Sequence, residues 1–167
     1  MSGMFWGATA FNGNVSEWKT GNVTDMGFMF SDATAFNQNL NWNTEKVTNM
    51  YRMFSGATAF NGNVSEWKTG NVTDMSWMFS DATALNQALN WDTGNVTNMS
   101  GMFSGATAFN GNVSEWKTGK VTNMYRMFSG ATQFNCNISH WNMETVLNND
   151  SMFLGATNMA ENNKPSL

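Results

Sequence analysis

Residues 53 to 75 read MFSGATAFNGNVSEWKTGNVTDM, and nearly the same words return at residues 102 to 124. A third version starts at Met4. The Met-Phe pair opens at Met4, Met29, Met53, Met78, Met102, Met127 and Met152, in steps of 25, 24, 25, 24, 25 and 25 residues. Trp recurs in phase at Trp18, Trp42, Trp67, Trp91, Trp116 and Trp141. Self-similarity at such a period is the mark of stacked repeats. A unit of this length cannot bury its apolar side alone, whereas a neighbour of the same kind can cover it. The expectation is one solenoid domain over residues 1–159, of six coils and part of a seventh, followed by a tail at 160–167.

Through Arg126 two kinds of coil alternate. The long kind reads FNGNVSEW; the short kind reads FNQNLNW or LNQALNW, one residue fewer before Trp. The larger unit is therefore 49 residues, two coils deep.

Composition supports a packed chain. Hydrophobic residues are 41% of the 167, and 15 Met, 13 Phe and 8 Trp supply much of the bulk. Disordered chains lack such residues. The net charge of −4 offers no footing for a nucleic-acid backbone, which needs clustered Lys and Arg. Cys136 is the only cysteine, so an internal disulfide is excluded. No stretch has the roughly 20 apolar residues of a membrane-spanning helix, so no membrane insertion is expected.

Within a coil, Thr24 to Phe36 reads TDMGFMFSDATAF. Met26, Met29, Phe30 and Ala33 fall at i, i+3, i+4 and i+7, the spacing of one helical face. Thr24 sits where an N-cap oxygen is wanted, and Asp25 where a negative charge suits a helix dipole. The position after Ser31 reads Asp32, Gly56, Asp81, Gly105, Gly130 and Gly155. Gly and Asp accept a left-handed backbone, on which helices often stop. On the opposite side, Val15 recurs as Leu40, Val64, Leu89, Val113 and Ile138 between polar neighbours, as in a short strand. The fold expected is an α/β repeat solenoid: a leucine-rich-repeat-like, right-handed coil stack, each coil of 24–25 residues with a short strand and a short helix. Its core column would hold Phe11, Val15, Trp18, Val23, Met26, Met29, Phe30 and Ala33, with their equivalents in every coil. Asn12 and its equivalents are expected as a buried ladder between coils. The Thr row from Thr9 to Thr157 is expected to bond locally to backbone.

The columns line up as V-T-x-M-x-x-M-F-x-G-A-T-x-F-N-x-x-V-S-x-W. This pattern resembles the roughly 26-residue repeat of bacterial surface proteins best known from mycoplasma lipoproteins. More distantly, it is similar to the BspA-type leucine-rich repeat. The resemblance covers Met4 to about Met159. It implies a surface or secreted location and a role in adhesion or display. The start MSGMFWG lacks the basic and apolar regions of a signal peptide, which leaves a cytoplasmic location open. Sequons such as those at Asn14, Asn71 and Asn95 would disrupt the stack if buried and glycosylated, which speaks for a bacterial surface or a cytoplasm.

Function is expected to be non-enzymatic. The only histidine, His140, lies four residues after Cys136, with no third group to orient a catalytic pair. Asp25, Asp32, Asp74 and Asp81 recur one per coil as caps and turns and do not converge as metal ligands. No cofactor is expected. Closely spaced strands opposite bulkier helices would bend the stack and make the strand side concave and polar. The binding candidates on that face are Asn14, Ser16, Asn39, Asn63, Ser65, Asn112, Ser114 and Asn137, with a protein or glycan surface as partner. A second surface is formed by the residues just before each Met-Phe pair, where the copies differ: Phe28, Tyr51, Arg52, Trp77, Tyr125 and Arg126. Trp, Tyr and Arg are common interface anchors. The alternatives are ice binding by the Thr and Asn rows, or a purely structural solenoid that associates end to end.

Overall fold

The computed structural model describes residues 1–166; Leu167, the last residue of the expected tail, lies outside the described residues. Its repeats stack in parallel register. Five parallel bridges link Asp25 to Asn49, Asn49 to Asp74, Asp74 to Asn98, Asn98 to Asn123 and Asn123 to Asn148. The expected α/β architecture is overturned. Among the described residues there is no α-helix and no extended strand, only isolated bridges and a 3-10 turn at Glu161–Asn163.

The segment expected to be helical is a run of overlapping turns. The N–H of Met29 donates to Met26 O, that of Ser31 to Phe28 O, and that of Ala33 to Phe30 O. Between these turn bonds, the N–H groups of Phe28, Phe30 and Asp32 donate sideways, to Tyr51 O, Met53 O and Ser55 O of the next repeat. Backbone donors thus alternate between their own turn and the neighbouring coil. A helix would send every one of them to the residue four back.

The stacking distance explains the choice. Equivalent phenylalanines lie face to face, with ring centroids 5.5 Å apart for Phe30–Phe54 and again for Phe54–Phe79. Packed helices need about 8–10 Å between axes, so helices do not fit this pitch. Tight turns do. Left-handed residues make those turns possible: Asp32 and Asp81 have φ 57°, and Gly56 and Gly105 have φ 71°. The Gly and Asp column therefore is left-handed as expected, but it closes turns and ends no helix.

The expected strand fails for a similar reason. Asn14 Oδ1 accepts the N–H of Ser16, and Val15 O accepts that of Trp18. These bonds bend the backbone at the residues that a strand would need extended. Asp25 is likewise no helix-dipole partner. Its carboxylate accepts the N–H of Gly27 at 2.8 Å, closing a turn, and Asn49 and Asp74 do the same in the following repeats. Thr24 caps nothing; its carbonyl accepts the Thr48 hydroxyl.

The core column is where the sequence put it. Met26, Met29, Phe30 and Ala33 are fully buried, as are their equivalents through Ala131. The end repeats are looser: Phe11 and Val23 are partly buried and Trp18 is 37% exposed at one end, and Val146 and Phe153 are partly buried at the other. Each buried indole also ties two repeats together. Trp42 Nε1 donates to Val15 O at 2.9 Å, Trp67 to Leu40 O at 2.8 Å and Trp116 to Leu89 O at 2.8 Å. A buried Thr column adds a second tie, with Thr44, Thr69 and Thr93 donating to carbonyls of the following repeat. The Asn ladder exists but is exposed. Asn12 Oδ1 accepts the N–H of Asn37, Asn37 that of Asn61 and Asn61 that of Asn86. The outer Thr rows bond across repeats rather than locally: Thr58 donates to Thr34 O and Thr83 to Thr58 O.

The two kinds of repeat interlock. A β-carbon on Gly56 would meet the Asp32 carboxylate, and one on Gly105 would meet that of Asp81. Large residues in one repeat lie over small ones in the next, which is a packing reason for the 49-residue unit. At the far end the tail folds back. Ile138 N–H donates to Asn163 O, Asn163 Nδ2 donates to Asn135, and Lys164 Nζ sits 5.5 Å above the Phe153 ring.

Candidate functional site

Two surfaces carry the residues singled out by sequence. The first is the Trp side. Asn14, Asn39, Asn63, Asn112 and Asn137 are exposed there, and Ser16, Ser65 and Ser114 are half-buried. The ground for calling this side concave is gone, because there are no helices opposite to widen the stack. The residues themselves are held firmly. Asn63 Oδ1 accepts the N–H of Ser65 at 2.9 Å, Asn112 that of Ser114 at 3.0 Å and Asn137 that of Ser139 at 3.1 Å. Asn39 Oδ1 accepts the N–H of Asn63 at 2.8 Å. Each oxygen is thus engaged in the fold, while Nδ2 of these exposed residues makes no hydrogen bond within the described chain. The serine hydroxyls point to the adjacent carboxylates, Ser16 to Glu17 and Ser65 to Glu66.

Cavities lie along this same side. One of about 300 Å³ is lined by Leu89, Asn90, Trp91, Asn112, Val113, Glu115 and Trp116. Another, of about 420 Å³, is lined by residues that include Ser16, Glu17, Trp18, Asn41 and Asn43. The sequence signal for these cavities is the SEW triplet of the long repeats, which places a glutamate next to a tryptophan in the lining. Asp92 flanks the same side, where its carboxyl is held below the usual carboxylate value by the Gly94 N–H and by Lys117. The sequons anticipated as buried are exposed, although Asn71 and Asn95 donate Nδ2 to Glu45 O and Gly70 O.

The second surface is the stripe before each Met-Phe pair. Trp6 and Phe28 lie 5.3 Å apart, and Phe28 meets Tyr51 edge to face at 5.0 Å. The Arg52 guanidinium lies 5.6 Å from the Tyr51 ring and 5.7 Å from that of Trp77. Further along, Arg126 lies 5.2 Å from the Tyr125 ring. Phe28, Arg52, Trp77 and Arg126 all sit in left-handed backbone, with φ of 53° to 57°. Glycine occupies the same column at Gly3 and Gly101. Sequence variation located this stripe; glycine at Gly3 and Gly101 was the one sequence sign of its left-handed backbone, because bulky residues there are outliers.

Other candidates do not come together. Cys136 Sγ lies 3.5 Å from Asn112 Oδ1, while His140 Nε2 lies 2.9 Å from Ser114 O, so the two side chains serve different partners. Asp32 and Asp81 lie against glycines of the next repeat, and Asp25 and Asp74 close turns. Among the described residues no helix is long and apolar enough to cross a membrane.

Stacked turn-built repeats with two regular surfaces define a repeat protein. Comparison with known families places it further. The model of a family described as Mycoplasma protein of unknown function, DUF285, matches residues 1–90 and 87–165, so the chain belongs to that family. No curated protein and no solved structure matches it. The mycoplasma part of the sequence resemblance is thereby shown.

Proposed function

We propose that the chain is a non-enzymatic solenoid scaffold that binds a neutral glycan along its Trp side. A surface location and kinship with BspA-type surface repeats belong to this reading as well. The observation that carries it is the row of exposed Asn amides with fixed oxygens and free Nδ2 donors beside cavities edged by indole and carboxylate. Polar donors held by their own backbone lose little side-chain entropy on binding. Asn14, Asn63 and Asn112 recur every two repeats, about 10 Å at the spacing of paired strands. An extended glycan repeats its disaccharide unit over a comparable length.

The test separates binding from folding. Asn14→Asp, Asn63→Asp and Asn112→Asp together keep the oxygen that closes each turn and remove the Nδ2 donor. The intact chain should retain neutral glycans on an array, and the triple variant should lose them at an unchanged unfolding midpoint. Failure of the intact chain to retain any glycan, or equal retention by the variant, would refute the proposal.

One observation favours a second reading, ice binding. Thr24, Thr48, Thr73, Thr97 and Thr122 form an exposed row in register, each hydroxyl after the first donating to the carbonyl of the Thr before it. Thermal hysteresis at high protein concentration would support that reading; its absence would end it.

A further inference from the structure

We propose that the aromatic and guanidinium stripe is a docking site for a protein segment that presents a carboxylate between apolar side chains. The stripe lies on a different part of the coil from the Asn row, and this inference stands apart from the glycan reading.

The backbone gives the first reason. Gly3 and Gly101 show that glycine satisfies this column, and glycine adopts the left-handed conformation without strain. Phe28, Arg52, Trp77 and Arg126 hold it against the preference of residues with a β-carbon. Trp77 has a packing use, since its ring covers Gly101 of the next repeat. At Phe28, Arg52 and Arg126 no glycine follows in the column, and bulk held there in left-handed backbone points to a use outside the fold.

Arg52 supplies the second reason. Its guanidinium lies beside the Tyr51 and Trp77 rings, and its Nε is buried without a hydrogen-bond partner. Neither Arg52 nor Arg126 is in an ion pair, although acidic residues outnumber basic ones 12 to 8 in the chain; the three ion pairs among the described residues all use lysine. A guanidinium steadied by rings and held in no ion pair is suited to contact with a carboxylate through its terminal nitrogens. The flanking Phe28 and Trp77 side chains are half-buried, and the part of each left exposed is apolar surface for the residues beside that carboxylate. The complement is a short acidic and apolar peptide segment.

The experiment titrates the intact chain, by calorimetry, with short acetylated peptides that carry one Glu between Leu and Phe, and with their Gln counterparts. A sulfated glycan forms a third arm. The key variant is Arg52→Gly, which installs the residue found in the same column at Gly101. At least one Glu peptide should bind, and its Gln counterpart should bind about tenfold more weakly or worse. Arg52→Gly should abolish that binding without lowering the unfolding midpoint. Arg52→Lys, which keeps the charge and loses the fork, should bind more weakly than the parent. Four results would overturn the proposal: no peptide binds, the Gln peptides bind equally well, the sulfated glycan binds in their place, or Arg52→Gly lowers the midpoint and so reveals a structural arginine.

Discussion

At Gly101 a methyl group has nowhere to go. The residue is left-handed at φ 60°, and a β-carbon there would run into the Trp77 ring. Gly101→Ala should therefore destabilise the chain by at least about 1 kcal/mol in urea unfolding. Arg52→Gly in the same column should have the opposite sign or none, because relieved strain of about 1–2 kcal/mol offsets the added freedom of the unfolded chain. Trp67 allows a sharper contrast. Trp67→Phe leaves the Leu40 carbonyl without its indole donor and should cost about 1–3 kcal/mol. Trp18→Phe should cost much less, since Trp18 is 37% exposed and its Nε1 donates to no carbonyl of a preceding repeat. At this scale the sequence is legible where side-chain size decides. Met26, Met29, Phe30 and Ala33 announce their burial by recurrence. The bond from Trp42 Nε1 to Val15 O does not, because it spans 27 residues and depends on how repeats sit on one another.

A single repeat misleads about its own backbone. Apolar residues at i, i+3, i+4 and i+7 read as a helix, and all four positions are indeed buried. Overlapping turns bring the same positions inward. What separates the two is the pitch of the stack, and no spacing inside one repeat encodes it. The left-handed positions were legible from Asp32 and Gly56, since few residues accept that backbone. Their pairing across repeats was not, although the alternation of Asp with Gly carried it. That pairing can be tested by exchange. Gly105→Asp sets a second carboxylate against Asp81 and should destabilise by about 1 kcal/mol or more. Adding Asp81→Gly should restore most of the loss, because the large and small partners are then merely swapped. Additive effects in the double variant would show that the two positions do not meet.

Across the whole molecule, stability resides in interfaces between like neighbours. Phenylalanine and tryptophan columns run through the stack, with equivalent indoles 6.2 to 6.4 Å apart. Removing residues 53–101, one 49-residue unit, should leave a folded chain with fewer interfaces and a lower unfolding midpoint. An unchanged midpoint would mean that the repeats do not support one another. The existence and phase of the stack were legible from period, and the stripe from the variation between copies. The proposed binding surface is harder to read, because the Asn residues that look free in sequence spend their oxygens on backbone bonds within the fold. The central claim is that the stack is built from turns, without helices, and NMR of residues 26–33 and their equivalents tests it most directly. Backbone carbon shifts and amide to α-proton couplings should show left-handed residues at Phe28 and Asp32, Arg52 and Gly56, and Trp77 and Asp81. An unbroken run of helical values from Met26 to Ala33 would contradict it.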